Sequence, residues 1–107
     1  MIKSVIKRDG RVVLYDQSKI TAAIMKALEA AKEGDAAEAD RIATRAARQL
    51  EMDCGEESPQ IEQIQDAVET ALMETGHDAA AKQYILYRAN RTRIREANTS
   101  LMKTIDE

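Results

Sequence analysis

No Phe and no Trp occur in this chain, and Tyr occurs three times. A core without large aromatics must be filled by Ala, Ile, Leu, Val and Met. These side chains bury little area each, so the backbones that carry them must approach closely. Alanine-rich helices are the elements that permit this. The 107 residues are enough for one such domain. With 44% hydrophobic and 33% charged residues, the composition is that of a folded domain rather than a disordered chain.

The helical periodicity agrees. Ile20, Ala23, Ile24, Ala27, Leu28 and Ala31 form one apolar stripe, predicting a helix from Gln17 to about Lys32 with Asp16 as N-cap and Gly34 as stop. A second helix is predicted from an Asp35 cap to about Glu51. It buries Ala36, Ala39, Ile42, Ala43, Ala46, Ala47 and Leu50, and Asp53 to Glu57 follow as a loop. Ser58-Pro59 has the pattern of a cap and first helical position, opening a third helix with Ile61, Ile64, Val68, Ala71 and Leu72 inward and Gly76 at its end. A fourth runs from His77-Asp78 to about Asn98, with Ala81, Tyr84, Ile85 and Leu86 as its apolar positions and Arg88, Arg91 and Arg95 on one basic face. The methionines are expected as core filler.

Ahead of the helices, Ser4 to Tyr15 reads as a β-hairpin. Asp9-Gly10 between β-branched runs is the signal for a two-residue type I′ turn, which pairs Arg8 with Arg11, Ile6 with Val13 and Val5 with Leu14. The fold class is therefore α+β and mostly helical: about four helices capped by a small sheet that starts with the N-terminal hairpin. A third strand is expected from the Leu50–Glu56 region or the extreme N-terminus.

Several chemistries are excluded by residue counts. One Cys leaves no internal disulfide and no cysteine zinc cluster, and one His leaves no His-rich metal site. No Ser-His-Asp or Cys-His set assembles without that His77. The expectation is thus a domain with no catalytic residues of its own. No apolar run approaches a membrane span and no apolar signal region opens the chain, so a cytoplasmic location is expected. His77 reads as a structural residue after Gly76, and Cys54 has no assigned role.

Charge is segregated. Residues 1–28 carry six bases and two acids, 29–79 four bases and fourteen acids, and 80–107 six bases and three acids. If the fold brings the two basic ends together, their field favours an anion. Lys7 and Arg8 stand beside the hairpin turn. Lys19 lies in the first turn of a helix, where backbone N–H groups also face anions. Arg88 and Arg91 share a helix face. Ammonium and guanidinium groups from three elements suit a polyphosphate. There is no G-x-x-x-x-G-K-[ST] loop, so nucleotide binding must use another geometry.

These residues resemble a known family. Val5-Ile6-Lys7-Arg8-Asp9-Gly10-Arg11, Tyr15-Asp16 and Lys19-Ile20 are similar to the opening of the ATP-cone domain. Ile61 to Glu69, Leu72 to His77 and Ala81 to Arg91 continue the pattern in order, so that the resemblance covers about residues 3–97. ATP-cones occur at the N-terminus of ribonucleotide reductase large subunits, and in a nucleotide-responsive transcriptional repressor behind a zinc ribbon. No cysteine cluster precedes the cone here, which favours the reductase. Residues 1–97 would be the nucleotide-binding domain and 98–107 the start of a linker to a catalytic domain. The tail from Asn98 to Thr104 looks most like that of the anaerobic, class III enzymes.

The resemblance implies a regulatory domain that binds ATP or dATP, with Mg2+, to switch overall activity. ATP would activate and dATP inhibit, through changed oligomerisation. Lys7, Arg8, Lys19, Arg88 and Arg91 would bind phosphates, while Val5 and Val13 would line the base and sugar pocket. Asp16 would contact ribose or base, and Ser58 and Glu62 would touch the nucleotide or a second one. Val13 stands where some members have a polar residue. The partners implied are the rest of the reductase and its oligomeric copies, with no nucleic acid and no membrane. Two rival readings are a nucleic-acid-binding helical module using Arg88, Arg91, Arg93 and Arg95, and a structural dimerisation domain.

Overall fold

The structure, a computed structural model, describes residues 2–55 and 57–90. Strands β1 (Ser4–Ile6) and β2 (Val12–Leu14) are followed by α1 (Gln17–Ala31), α2 (Ala36–Cys54), α3 (Ile61–Glu74) and α4 (78–90). The expected α+β architecture, four helices and an N-terminal hairpin, is what the described residues form. The stretch of α4 expected past residue 90, and the linker after it, lie outside them.

The hairpin register differs from expectation by one residue. Ser4 faces Leu14, Val5 faces Val13 and Ile6 faces Val12. The loop has three residues, Arg8-Asp9-Gly10. It is closed by the Lys7 N–H donating to the Arg11 carbonyl at 2.8 Å and the Gly10 N–H to the Lys7 carbonyl at 3.0 Å. Gly10 has φ +89, whereas Asp9 does not take the positive φ that a type I′ turn needs at both centres. The Asp9 carboxylate instead accepts from the Arg11 backbone N–H at 3.0 Å and from Arg11 Nε at 2.7 Å. The physical gain is twofold. Arg8 leaves the strand and no longer faces Arg11, and Val5 and Val13 turn to the same inner side while Leu14 stays 86% exposed.

The sheet does not gain either expected third strand among the described residues, since residues 50–54 belong to α2. Instead the segment before α3 runs alongside β1. The Ile6 N–H donates to the Pro59 carbonyl at 2.9 Å, and Ile6 and Gln60 form a parallel bridge. Ser58 and Pro59 are therefore extended and do not cap α3. Gln60 is the N-cap, its backbone N–H donating to Gln63 Oε1 at 2.8 Å.

Caps fix the other boundaries. Asp16 Oδ1 accepts from the Ser18 N–H at 3.0 Å and Asp35 Oδ1 from the Glu38 N–H at 3.1 Å, as expected. Helix α1 does not stop on Gly34. Lys32 takes the left-handed conformation (φ 57, ψ 41), and Glu33 and Lys32 donate to the Leu28 and Glu29 carbonyls. Gly34 serves close packing: a Cβ there would lie 3.1 Å from the Glu38 side chain and 3.3 Å from Leu28. Helix α2 runs on through Asp53 and Cys54, helped by a 3.0 Å hydrogen bond from Gln49 Nε2 to Asp53, and ends at Gly55. Gly76 (φ +79) closes α3 as expected, with His77 and Gly76 donating to the Leu72 and Met73 carbonyls.

Two clusters make the core. The larger joins Ile24 and Leu28 of α1, Ala39, Ile42, Ala43 and Ala46 of α2, Val68, Ala71 and Leu72 of α3, and Ala80, Ala81 and Tyr84 of α4. The smaller sits under the hairpin and joins Ile2, Val5, Leu50 and Ile64. Ile20 and Ala67 pack against both. The inner face of α4 is 80, 81 and 84, so the expected inward positions Ile85 and Leu86 fall outside and are exposed, as is Ala36 of α2. Met52 and Met73 are exposed too, rather than core filler.

Candidate functional site

The three-residue turn places Lys7 and Arg8 at the tip of the hairpin. The first turn of α1 begins two residues after Tyr15 and carries Lys19. Alpha-helix α4 packs through Ala80, Ala81 and Tyr84, which brings Tyr87 and Arg88 to the same end. Between them is a pocket of ≈190 Å³, lined by Lys7 and Arg8, by Lys19, Ile20 and Ala23 of α1, by Ile61, Ile64 and Gln65 of α3, and by Tyr84, Tyr87 and Arg88 of α4. Four cationic groups from three elements thus rim an apolar wall. Such a surface can take an anion at the rim and a flat apolar group against the wall.

The rim is held by ion pairs to α3. Arg8 Nε lies 3.1 Å from Glu62 Oε1, and Arg88 Nη1 donates to Asp66 at 3.0 Å and to Glu69 at 2.5 Å. Partial burial works against the charge on Arg88. The hydrogen bonds from the guanidinium to Glu69 and Asp66 outweigh it and hold the pKa above its ordinary value. Tyr84 is pushed up to about 12, chiefly by burial, so it stays neutral. Its ring lies 6.4 Å from that of Tyr87, and Lys26 Nζ stands 5.9 Å over the Tyr87 ring. Gln65 Oε1 is buried without a hydrogen-bond partner among the described residues.

The structure brings Lys7, Arg8, Lys19 and Arg88 together, with Glu62 one ion pair away. Asp16 caps α1 and does not line the pocket. Hydrogen bonds from Ser18 keep its carboxyl below the usual carboxylate range, with Lys19 adding to the effect. Ser58 is occupied by a hydroxyl–hydroxyl hydrogen bond with Ser4. Val5 is buried beneath the hairpin and Val13 packs half-buried beside it, so neither lines the pocket. Arg91, Arg93 and Arg95 lie outside the described residues. Sequence reasoning missed Ile61, Ile64 and Gln65 as wall residues. The signal was there in part, because Gln65 follows Ile64 on the stripe that carries α3 into the core. Tyr87, one turn beyond Tyr84 and adjacent to Arg88, lines the pocket as well.

A larger groove of ≈640 Å³ runs between α2 and α3 and contains Arg41, Arg45 and Arg48. Its cations come from a single helix, and Arg41 and Arg45 are paired with Glu38 and Glu74. Size alone does not make it the better site, whereas the smaller pocket gathers charge from distant parts of the chain.

A family model described as the ATP cone domain matches residues 3–93. The chain is 44% identical over 101 residues to the vitamin B12-dependent ribonucleoside-diphosphate reductase of Thermoplasma acidophilum, covering 90% of this chain and 13% of that protein. It is 38% identical over 105 residues to the anaerobic ribonucleoside-triphosphate reductase of Escherichia coli, covering 98% and 14%. It is 38% identical over 116 residues to the ribonucleoside-diphosphate reductase subunit alpha of Chlamydia trachomatis, covering 97% and 11%. The chain therefore spans at most 14% of the length of these relatives.

Proposed function

Because the chain belongs to the ATP-cone family, a family of allosteric nucleotide-binding domains in ribonucleotide reductases, we propose that it binds ATP and dATP in the pocket between hairpin, α1 and α4 and so switches an attached reductase on and off. The observation that carries this is the convergence of Lys7, Arg8, Lys19 and Arg88 on one rim of an apolar pocket. The triphosphate lies against those four groups. Each charge-assisted hydrogen bond contributes about 1.5–3 kcal/mol net of the water contacts it replaces. The purine packs against Ile20, Ala23, Ile61 and Ile64, with Tyr84 and Tyr87 at its edge. Val5 and Val13 act from behind by holding the hairpin in register. Asp16 acts by fixing the first turn of α1, which presents Lys19. Ser58 and Glu62 border the site from the α3 side.

No group of three or more His, Cys, Asp or Glu among the described residues could hold a metal ion. Mg2+ accordingly arrives with the nucleotide, on its phosphate oxygens. The domain itself performs no bond-making step. ATP favours the active arrangement of the parent and dATP the inactive one, and each acts only through its differential affinity for the two. Changed association between copies of the reductase is the readout, with the rest of that chain as partner and the cytoplasm as location. No helix among the described residues is long and apolar enough to cross a membrane. The parent is a ribonucleotide reductase. The tail from Asn98 points to the anaerobic class, whereas the B12-dependent relative is more identical to this chain than the anaerobic one, so similarity does not select the class.

Calorimetric titration of the chain with ATP and with dATP, with solution mass followed alongside, tests the proposal. Saturable binding of both, lost in Arg8→Glu with the circular dichroism unchanged, is the expected result. Binding retained at full affinity in Arg8→Glu would refute the site, and no binding of either nucleotide would refute the function.

A further inference from the structure

Glu62, Asp66 and Glu69 recur at i, i+4 and i+7 along one face of α3, and that face meets the pocket cations. Glu62 takes Arg8, while Asp66 and Glu69 both take Arg88. The two arginines differ in setting. The Arg8–Glu62 pair is 36% and 46% exposed, so water screens it. Arg88 and Glu69 are only 21% and 18% exposed, and their contact is 2.5 Å. Asp66 is 68% exposed at 3.0 Å and is the weaker partner.

A guanidinium has five N–H donors in a planar fork, and it recognises carboxylate and phosphate oxygens by the same geometry. Phosphate oxygens that reach Arg88 must take those donors from the carboxylates or settle beside two negative charges. Either way the α3 carboxylates oppose binding. We infer that Glu69, with Asp66 in support, is an internal competitor that occupies Arg88 in place of phosphate and sets the affinity of the pocket for polyphosphates. This rests on the reading of the pocket as a polyphosphate site.

The inference has a sign that ordinary site residues lack: deleting these charges tightens binding. Glu69→Gln keeps the volume and one acceptor but removes the charge. It should tighten binding of ATP and of inorganic triphosphate by roughly tenfold, and Asp66→Asn by roughly threefold. A general field effect of removing any acid is separated by a double-mutant cycle. In an Arg88→Gln background the gain from Glu69→Gln should shrink below about twofold, because there is no guanidinium left to compete for. The measurement is calorimetry of wild type, both single variants and the double variant with inorganic triphosphate and with ATP. Unchanged or weaker binding in Glu69→Gln, or an undiminished gain in the Arg88→Gln background, would overturn the competitor while leaving the polyphosphate site standing. Failure of wild type and Glu69→Gln alike to bind either probe would remove the polyphosphate reading and the competitor with it.

Discussion

Replacing Leu50 by Ala tests whether the small cluster under the hairpin is what positions the pocket's first two cations. Leu50 is 2% exposed and packs with Ile2, Val5 and Ile64 at the end of α2. Truncating a buried leucine destabilises by about 2–5 kcal/mol, the upper values belonging to sites that cannot collapse. This cluster has four buried members and lies beneath a two-stranded sheet, so neighbours can settle inward and the lower end applies. A loss of about 2–3 kcal/mol follows, read as a fall in the urea midpoint at unchanged slope. Its distribution over the molecule is the sharper test. The Lys7, Tyr15 and Ile6 N–H groups donate to Arg11, Lys3 and Pro59, and all three bonds belong to the hairpin and its seating. Their hydrogen exchange should accelerate by roughly 30- to 150-fold, the equivalent of that free energy. Ligand affinity should fall only in proportion to the hairpin's closed fraction. Exchange at these three amides matching wild type, in a variant that is nevertheless destabilised, would show that Leu50 supports the helices and not the hairpin.

Two further outcomes follow from caps. Lys32 is the one non-glycine residue at positive φ among the described residues. Relief of about 1–2 kcal/mol of left-handed strain, less the extra chain entropy of glycine, makes Lys32→Gly more stable by about 0.5–1 kcal/mol, visible as a rise of several degrees in thermal midpoint. The Asp16 carboxyl is held below its ordinary pKa by hydrogen bonds from Ser18. Its contribution to stability is therefore complete above the unfolded value, and it is lost as pH falls through the lowered folded one. Acid titration of Asp16→Asn, which keeps an oxygen acceptor, should show a flatter loss of stability below about pH 4 than wild type; parallel curves would contradict the assignment.

Periodicity made the helices legible. The Ile20–Ala31 stripe, the Asp16 and Asp35 caps and the Gly76 stop are all local in sequence, and each is where it was expected. What escaped was decided by contacts between distant residues. The hairpin register turns on which face of Val13 meets the core, and Ile64 and Leu50, more than thirty residues away, settle that. Ser58-Pro59 has good cap chemistry, yet the backbone of β1 claims the Pro59 carbonyl and keeps the segment extended. In the site, charge and family pattern pointed to Lys7, Arg8, Lys19 and Arg88. The apolar wall was harder to see, since Ile61 and Ile64 read equally well as core. Nothing in the spacing shows that Glu62, Asp66 and Glu69 face those arginines, because that depends on how α3 and α4 are rotated about their axes.

Among the described residues, Ile20 and Ala67 pack against both core clusters and bridge the seam between them. The pocket opens on that seam: its wall takes Ile20 itself, Ile64 from the hairpin side and Tyr84 from the helical side. A two-stranded sheet is marginal by itself, so the hairpin depends on its seating against the helices to stay in place. An occupant of the pocket would act as a rivet through the two plates. Its binding free energy would be felt first as a change in how often the hairpin detaches, and only later as a change in how often the whole domain unfolds.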